Sequence, residues 1–306
     1  MFPGEEPEKN LYSPVEFVTN IDTPEPNHLK ILVDALRLET EFEVTELLMN
    51  SANGVIYHGC DKKNGNQIIF KELPRQNVRN WVDLKGYVVP SEIAYHFQTF
   101  HSSLEAKSVI CRPITWLEKT SNFVLVLEKL GGENCVNLFE ISKKYGAINE
   151  DAVKVIFGQI LKIWETLNLA GVCHRDLKDE NIIINPTTLE CRLIDFGCAT
   201  KLSTESQTSF AGTPEFLPPE WFRTGEYRHE SVTSWSIGVI LFILLTGIMP
   251  SQISDSLIDF KISRDADYIL EQLSPGAQNL LISLLEVSEE ERADFSTAQL
   301  LYKMWN

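Results

Sequence analysis

The spacing of apolar residues changes period part-way along this 306-residue chain, and that switch limits the fold more than any other feature. Up to residue 130 the β signals dominate. Segments 42–49, 55–60 and 67–73 are rich in Val, Ile, Phe and Tyr, and Asn64-Gly65 between the last two is a hairpin turn signal. A helix is expected over 91–101, then strands 109–116 and 123–128 joined through Lys119-Thr120-Ser121-Asn122. Beyond residue 130, Val153, Ile156, Ile160, Ile163, Trp164 and Leu167 recur at steps of three and four. That stripe predicts a helix over 149–170 with Gly171 as its stop, and similar patterns lie at 232–246, 275–286 and 296–305. The resulting class is α+β and bilobal, with a small β-rich N-lobe, a larger helical C-lobe and a ligand cleft between them.

Charge narrows the partners. The formal net charge is −16, and residues 1–50 hold eleven acids against three bases, half of the excess. Such a surface lacks the Lys and Arg that displace counterions from a duplex, so no nucleic acid is expected and basic partners suit it. Residues 1–37, acidic and containing Pro3, Pro7, Pro14, Pro24 and Pro26, are expected to form a flexible solvated tail. A docking segment anchored by Leu11, Tyr12 and Phe17 is the alternative. The folded domain would then span 38–306, with its lobes over 38–129 and 130–306.

Met1 is followed by Pro, Gly and Glu rather than by a basic start and an apolar run, so no signal peptide is read. The longest apolar stretch, 235–249, is interrupted by Ser236, Gly238, Thr246 and Gly247 and is shorter than the ~20 residues of a membrane span. It reads as a core helix. The expectation is a monomer without a membrane, cytoplasmic and also nuclear, whose six cysteines are free thiols.

Four separated signals carry chemistry. His174-Arg175-Asp176-Leu177-Lys178-Asp179-Glu180-Asn181 has the Asp, Lys and Asn spacing of a kinase catalytic loop, and Asp195-Phe196-Gly197 follows an apolar strand. Lys71 lies in a predicted strand, Glu92 opens the next helix, and Pro218-Pro219-Glu220 closes the later segment. Phosphoryl transfer spreads charge over phosphate oxygens, so it needs aimed cations and metal ions held by oxygen ligands. In this reading Lys71, ion-paired with Glu92, grips the phosphates of ATP, and Asn181 with Asp195 holds Mg²⁺, with Mn²⁺ as an alternative. Asp176 takes the proton of the attacking hydroxyl, and Lys178 neutralises charge on the moving phosphoryl group.

From about residue 41 to 305 the chain resembles eukaryotic protein kinases, and within them the PIM serine/threonine kinases. The closer likeness rests on Trp81 with Val89-Pro90-Ser91-Glu92, on Asp179 in the catalytic loop, on LIDFG at 193–197, and on Gly212-Thr213 with Leu217-Pro218-Pro219-Glu220-Trp221. The resemblance implies transfer from ATP to Ser/Thr hydroxyls of protein substrates with basic sites, contacted by Glu180 and Thr213. It makes Leu48, Gly54, Ile56, Ile69 and Ile183 neighbours of the nucleotide, with Leu127 behind the adenine and backbone groups of 128–130 as the hinge. PIM kinases carry a hinge proline; Leu130 in that place restores an N–H. His174, Phe196 and Gly197 become internal supports, and Glu220 pairs with Arg292. Activity without an obligatory activating phosphorylation is also implied, although Thr200, Ser203, Thr204, Ser206, Thr208 and Ser209 could each be phosphorylated and meet Arg175.

Two departures weaken the pattern. Met49 and Ser51 stand where the first two glycines of a phosphate-covering loop belong, and Ile69 replaces a small residue expected against the adenine face. Weaker nucleotide binding follows, and a pseudokinase acting as a scaffold or allosteric partner is the alternative to an active enzyme.

Overall fold

The computed structural model describes residues 24–51, 54–84, 86–131, 135–250 and 270–305. Two compact units emerge: residues up to Ser102 together with Pro113–Leu127 make the first, and Ser103–Arg112 with everything from Glu128 make the second.

The first unit is built on a five-stranded antiparallel sheet. Its strands β1 (Phe42–Ser51), β2 (Gly54–Asp61), β3 (Gln67–Pro74), β6 (Pro113–Glu118) and β7 (Asn122–Glu128) lie in the order β1-β2-β3-β7-β6. Period-two alternation along β3 sends Ile68 and Phe70 into a core with Phe42, Leu117, Val124 and Val126, and leaves Ile69 half-buried. A small hairpin, β4 (Trp81–Leu84) with β5 (Tyr87–Pro90), leads into α2 (Ser91–Phe100). This hairpin has no sequence signature, because its strands are only four residues long.

The first unit also corrects the expected tail. Residues 28–37 belong to α1 (His28–Glu41), which Asn27 caps by accepting from Lys30 N at 3.0 Å. Acids that suggest solvation in a composition count are used structurally here. Asp34 is buried, accepts from Glu118 N at 2.8 Å, and pairs with Lys30 at 2.5 Å. Lys30 in turn lies 3.9 Å above the Trp116 ring. Residues 1–23, including Leu11, Tyr12 and Phe17, lie outside the described residues.

The second unit is helical. The predicted 149–170 helix is α5 (Glu150–Ala170), capped by Asn149 and stopped by Gly171 at φ 65°. The apolar stretch forms α7 (His229–Thr246), a core helix with almost every residue buried; it starts three residues earlier than predicted because His229 and Ser231 are buried polar groups. Shorter elements include α3 (Ala106–Val109), β8 (Val136–Asn137), α4 (Leu138–Tyr145) and α6 (Pro219–Thr224). The terminal helices are α8 (Pro275–Leu284) and α9 (Phe295–Met304).

The strand expected over 109–116 starts only at Pro113, since 106–109 is a helical turn and Ile110 bridges Leu193 of the second unit. This contact, with Cys111 N donating to Leu193 O at 3.0 Å, places 103–112 in the second unit rather than within a 38–129 lobe.

Candidate active site

The catalytic-loop motif lies between β9 (Val172–Cys173) and β10 (Ile182–Ile184), with β11 (Cys191–Leu193) antiparallel to β10. A 3-10 turn over Asp179–Asn181 brings Asn181 back toward the loop, and Ile194 N donates to Asn181 O at 2.9 Å, so residues thirteen apart in sequence become neighbours. Two non-glycine residues here have left-handed backbones, Arg175 at φ 62° and Asp195 at φ 60°. Each such position costs of order 1–3 kcal/mol, a strain that clusters at functional sites.

Asp176 is the centre of the hydrogen-bond network. Its Oδ1 accepts from the Thr213 hydroxyl at 2.7 Å, and Asn181 Nδ2 donates to its main-chain oxygen at 2.9 Å and to Oδ2 at 3.2 Å. Lys178 Nζ donates to the same Thr213 oxygen at 3.0 Å and lies 3.7 Å from Asp176 Oδ2. Gly212 makes this approach possible: at φ 97°, a Cβ there would lie 2.3 Å from Arg175 O.

Burial alone would lower the pKa of Lys178. The hydrogen bond that the ammonium donates to Glu180 and the charges of Asp176, Glu180 and Asp195 outweigh it and hold the ammonium above its usual range. Glu180, expected to receive a basic substrate, is exposed but ion-paired with Lys178 at 2.8 Å. Asp179 is buried, and desolvation pushes its carboxyl up to about 6 even though it accepts from Glu180 N at 3.0 Å.

The supporting residues are also in place. His174, fully buried, packs edge-on against Phe196 with ring centroids 5.1 Å apart, and burial keeps its imidazole below the ordinary pKa despite Asp176 and Asp195. Gly197 N donates to Asp195 Oδ1 at 3.0 Å, which fixes that carboxylate. Glu220 and Arg292 form a bidentate pair, both contacts 2.8 Å, with Ser231 hydroxyl donating to Glu220 at 2.7 Å. Among the hydroxyls between Gly197 and Gly212, Ser209 is the one brought to Arg175, at 3.2 Å from Nη1, while Arg175 Nε holds Cys198 O at 2.8 Å. Nothing in the sequence separated Ser209 from its five neighbours.

In the first unit Lys71 Nζ and Glu92 Oε1 are 2.6 Å apart and both side chains are largely buried. Lys71 faces Ile56 in the β2–β3 register, and Ile69 faces His58. Gly54 is fixed by geometry: at φ 144°, a Cβ would lie 2.3 Å from Glu72 O. Leu48 and Met49 are exposed on β1, which carries irregularities at Val44/Glu46 and Leu47/Met49. Positions 52–53 lie outside the described residues.

Leu127 is buried, Leu130 is half-buried, and Ile183 is half-buried on β10. Glu128 is clasped by Arg112, whose N and Nε donate to its carboxylate at 3.0 and 3.2 Å, while Glu128 N donates to Arg112 O at 3.0 Å. That clasp was not legible in sequence.

The protein kinase domain family matches residues 42–305. The chain belongs to that family. It is 28% identical over 273 residues to the serine/threonine-protein kinase pim-2 of Danio rerio, covering 87% of this chain and 85% of that protein. It is 34% identical over 197 residues to the serine/threonine-protein kinase prk-2 of Caenorhabditis elegans, covering 64% of this chain and 43% of that protein. A third relative, the serine/threonine-protein kinase dkf-1 of Caenorhabditis briggsae, is 26% identical over 291 residues, or 89% of this chain and 36% of that protein. Membership implies ATP, a divalent metal and protein substrates.

The residues present fit the metal. Asn181 directs its amide nitrogen to Asp176, which leaves its side-chain oxygen as an acceptor, and its main chain holds Ile194, the residue before Asp195. Among the described residues no group of three or more His, Cys, Asp and Glu could hold a metal alone. A hard cation completing its shell with phosphate and water suits so small a donor set.

Proposed function

We propose that this protein kinase transfers the γ-phosphate of ATP to Ser or Thr hydroxyls of protein substrates with basic sites, using Mg²⁺. The observation that carries the reading is Asp176 Oδ1 accepting an alcohol proton at 2.7 Å while Lys178 Nζ sits 3.0 Å from the same alcohol oxygen. Thr213 supplies that alcohol within the chain, and an acceptor Ser or Thr requires the same pair of contacts. Asp176 then takes the hydroxyl proton as oxygen attacks phosphorus, and Lys178, charged across the working range, offsets the negative charge that develops. Asn181 and Asp195 would hold Mg²⁺, which supplies charge neutralisation to the phosphates. Lys71, oriented by Glu92, would bind them.

The preference for basic substrates is supported by the net charge of −16 and by the exposed Glu180. Its ion pair with Lys178 means a substrate cation must share this carboxylate. Glu180→Lys is expected to lower selection for peptides with Arg upstream of the acceptor by about tenfold, read as the ratio of kcat/KM for basic and neutral peptides; an unchanged ratio would remove Glu180 from substrate recognition.

The test of the main reading is transfer from labelled ATP to a basic Ser/Thr peptide. Wild type should label the peptide and Asp176→Asn should not. Equal background signals from both at millimolar ATP would leave the pseudokinase alternative, a scaffold or allosteric partner, which the replacements at Met49, Ser51 and Ile69 favour.

A further inference from the structure

Helix α1 presents its apolar stripe outward. Leu29, Leu32, Val33 and Leu36, at steps i, i+3, i+4 and i+7, are 74%, 70%, 50% and 61% exposed. The opposite side carries the buried Asp34 with Lys30 and Arg37, and Leu38 against the sheet core. An amphipathic surface helix ordinarily turns its stripe to the core. Here the helix is held by its polar side, through Asp34 to Glu118 N and Lys30 to the Trp116 ring, so the stripe is free of any part in that anchoring. A contiguous exposed apolar patch with a polar rim is the usual mark of an interaction surface.

We propose that this stripe docks an amphipathic helix of a partner protein whose apolar face is bordered by Lys and Arg. The rim decides the partner's charge. Residues 24–50 hold six acids and two bases. Both bases are engaged with Asp34, and Arg37 also with Glu41. Glu25 and Glu39 are left exposed at the two ends of the stripe, Glu39 on the outward face one turn from Leu36, while the neighbouring Lys62 donates to Glu39 O at 2.6 Å. A 3-4 spacing on one helix receives the ridges of another helix.

Two other occupants fit less well. A second copy would set acidic rim against acidic rim, a like-charge contact that opposes association. An anionic bilayer attracts helices with Lys and Arg on the polar face, the reverse of this rim.

The experiment uses the full chain and a fluorescein-labelled model helix of Leu and Lys, with Leu at i, i+3, i+4 and i+7, read by anisotropy. The Leu-Lys helix should bind, and the double variant Leu32→Ser/Leu36→Ser should weaken it at least tenfold with an unchanged circular dichroism spectrum. Leu104→Ser/Leu169→Ser, which removes two equally exposed leucines elsewhere, should leave affinity unchanged. Glu39→Lys should weaken binding and flatten its salt dependence. Equal binding of a Leu-Glu helix, or no effect of Leu32→Ser/Leu36→Ser, would overturn the proposal. So would a dimer that this variant abolishes, co-sedimentation with phosphatidylserine vesicles, or amide protection in residues 1–23 that the variant removes, each of which assigns the stripe to another occupant.

Discussion

The catalytic loop in the helical unit and the β1–β2 strands in the sheet unit show opposite tolerance to change. Around Asp176 each side chain has several partners: Thr213, Asn181 and Lys178 converge on one carboxylate, and Gly212 is there because a Cβ would strike Arg175 O. Every residue type that the motif demands is present. In β1, Leu47, Leu48 and Met49 are about half exposed, and Met49 and Ser51 stand where the phosphate-loop pattern expects glycines. The glycine that persists, Gly54, is the one whose Cβ would strike Glu72 O. The departures from the expected pattern therefore fall at positions that have no left-handed backbone, whereas groups that must meet at hydrogen-bond distance are all present.

The comparison breaks first if the intact loop is not the source of activity. Asp176→Asn preserves shape and the Thr213 hydrogen bond but removes the base, so phosphotransfer is expected to fall about 10²–10⁴-fold with unchanged melting temperature. A loss below fivefold would show that Asp176 is not the proton acceptor. Next in size is the brace at Glu220. Arg292 is buried and the Glu220 side chain is 12% exposed, so Arg292→Ala leaves a half-buried carboxylate without its cation and should cost about 2–4 kcal/mol in chemical denaturation. A cost under 1 kcal/mol would mean that Ser231 and water suffice for Glu220.

Asp179 tests whether the loop stores an energetic cost. Its folded pKa, near 6, lies above the ordinary value of 3.8. The folded state thus holds its proton more tightly than the unfolded state, so this group favours folding below about pH 4 and its contribution declines as pH rises through 6. Asp179→Asn, which keeps the acceptor for Glu180 N, should stabilise the protein by roughly 2–3 kcal/mol at pH 7 and by little at pH 4. His229 acts in the other direction: burial beside Arg175 lowers its imidazole to about 4, so its contribution is lost as pH falls through that range. The wild-type-minus-variant difference isolates Asp179. A difference that does not change between pH 4 and 7 would contradict the raised pKa.

Legibility in the sequence followed the range of the forces involved. The α5 stripe and its Gly171 stop, the β2–β3 hairpin and the catalytic loop are local patterns with fixed spacing, and the structure has them where the spacing puts them. Helix α1 was hidden because charge and proline counts cannot show that Asp34 will meet the Glu118 amide, 84 residues away. The strand expected over 109–116 was displaced for a related reason: Ile110 and Cys111 engage Leu193, a tertiary contact that an apolar run cannot announce. Glu180 was placed by motif, but its pairing with Lys178 depends on the 3-10 turn of Asp179–Asn181.

The smallest expected effect sharpens the comparison on the side that has changed. Ile69 is half-buried on β3, between the core residues Ile68 and Phe70, and faces His58. If its extra carbons crowd the adenine, Ile69→Ala should relieve ~1–2 kcal/mol of overpacking and lower the KM for ATP about tenfold, with kcat held. If Ile69 serves only to pack the sheet, the same substitution should instead lower the melting temperature and leave KM where it was. A KM-specific gain would show that the drifted strands limit nucleotide capture while the intact loop sets the rate of transfer. A stability loss alone would mean that Ile69 has become part of the fold, and that tolerance in this unit extends to the nucleotide-facing residues themselves.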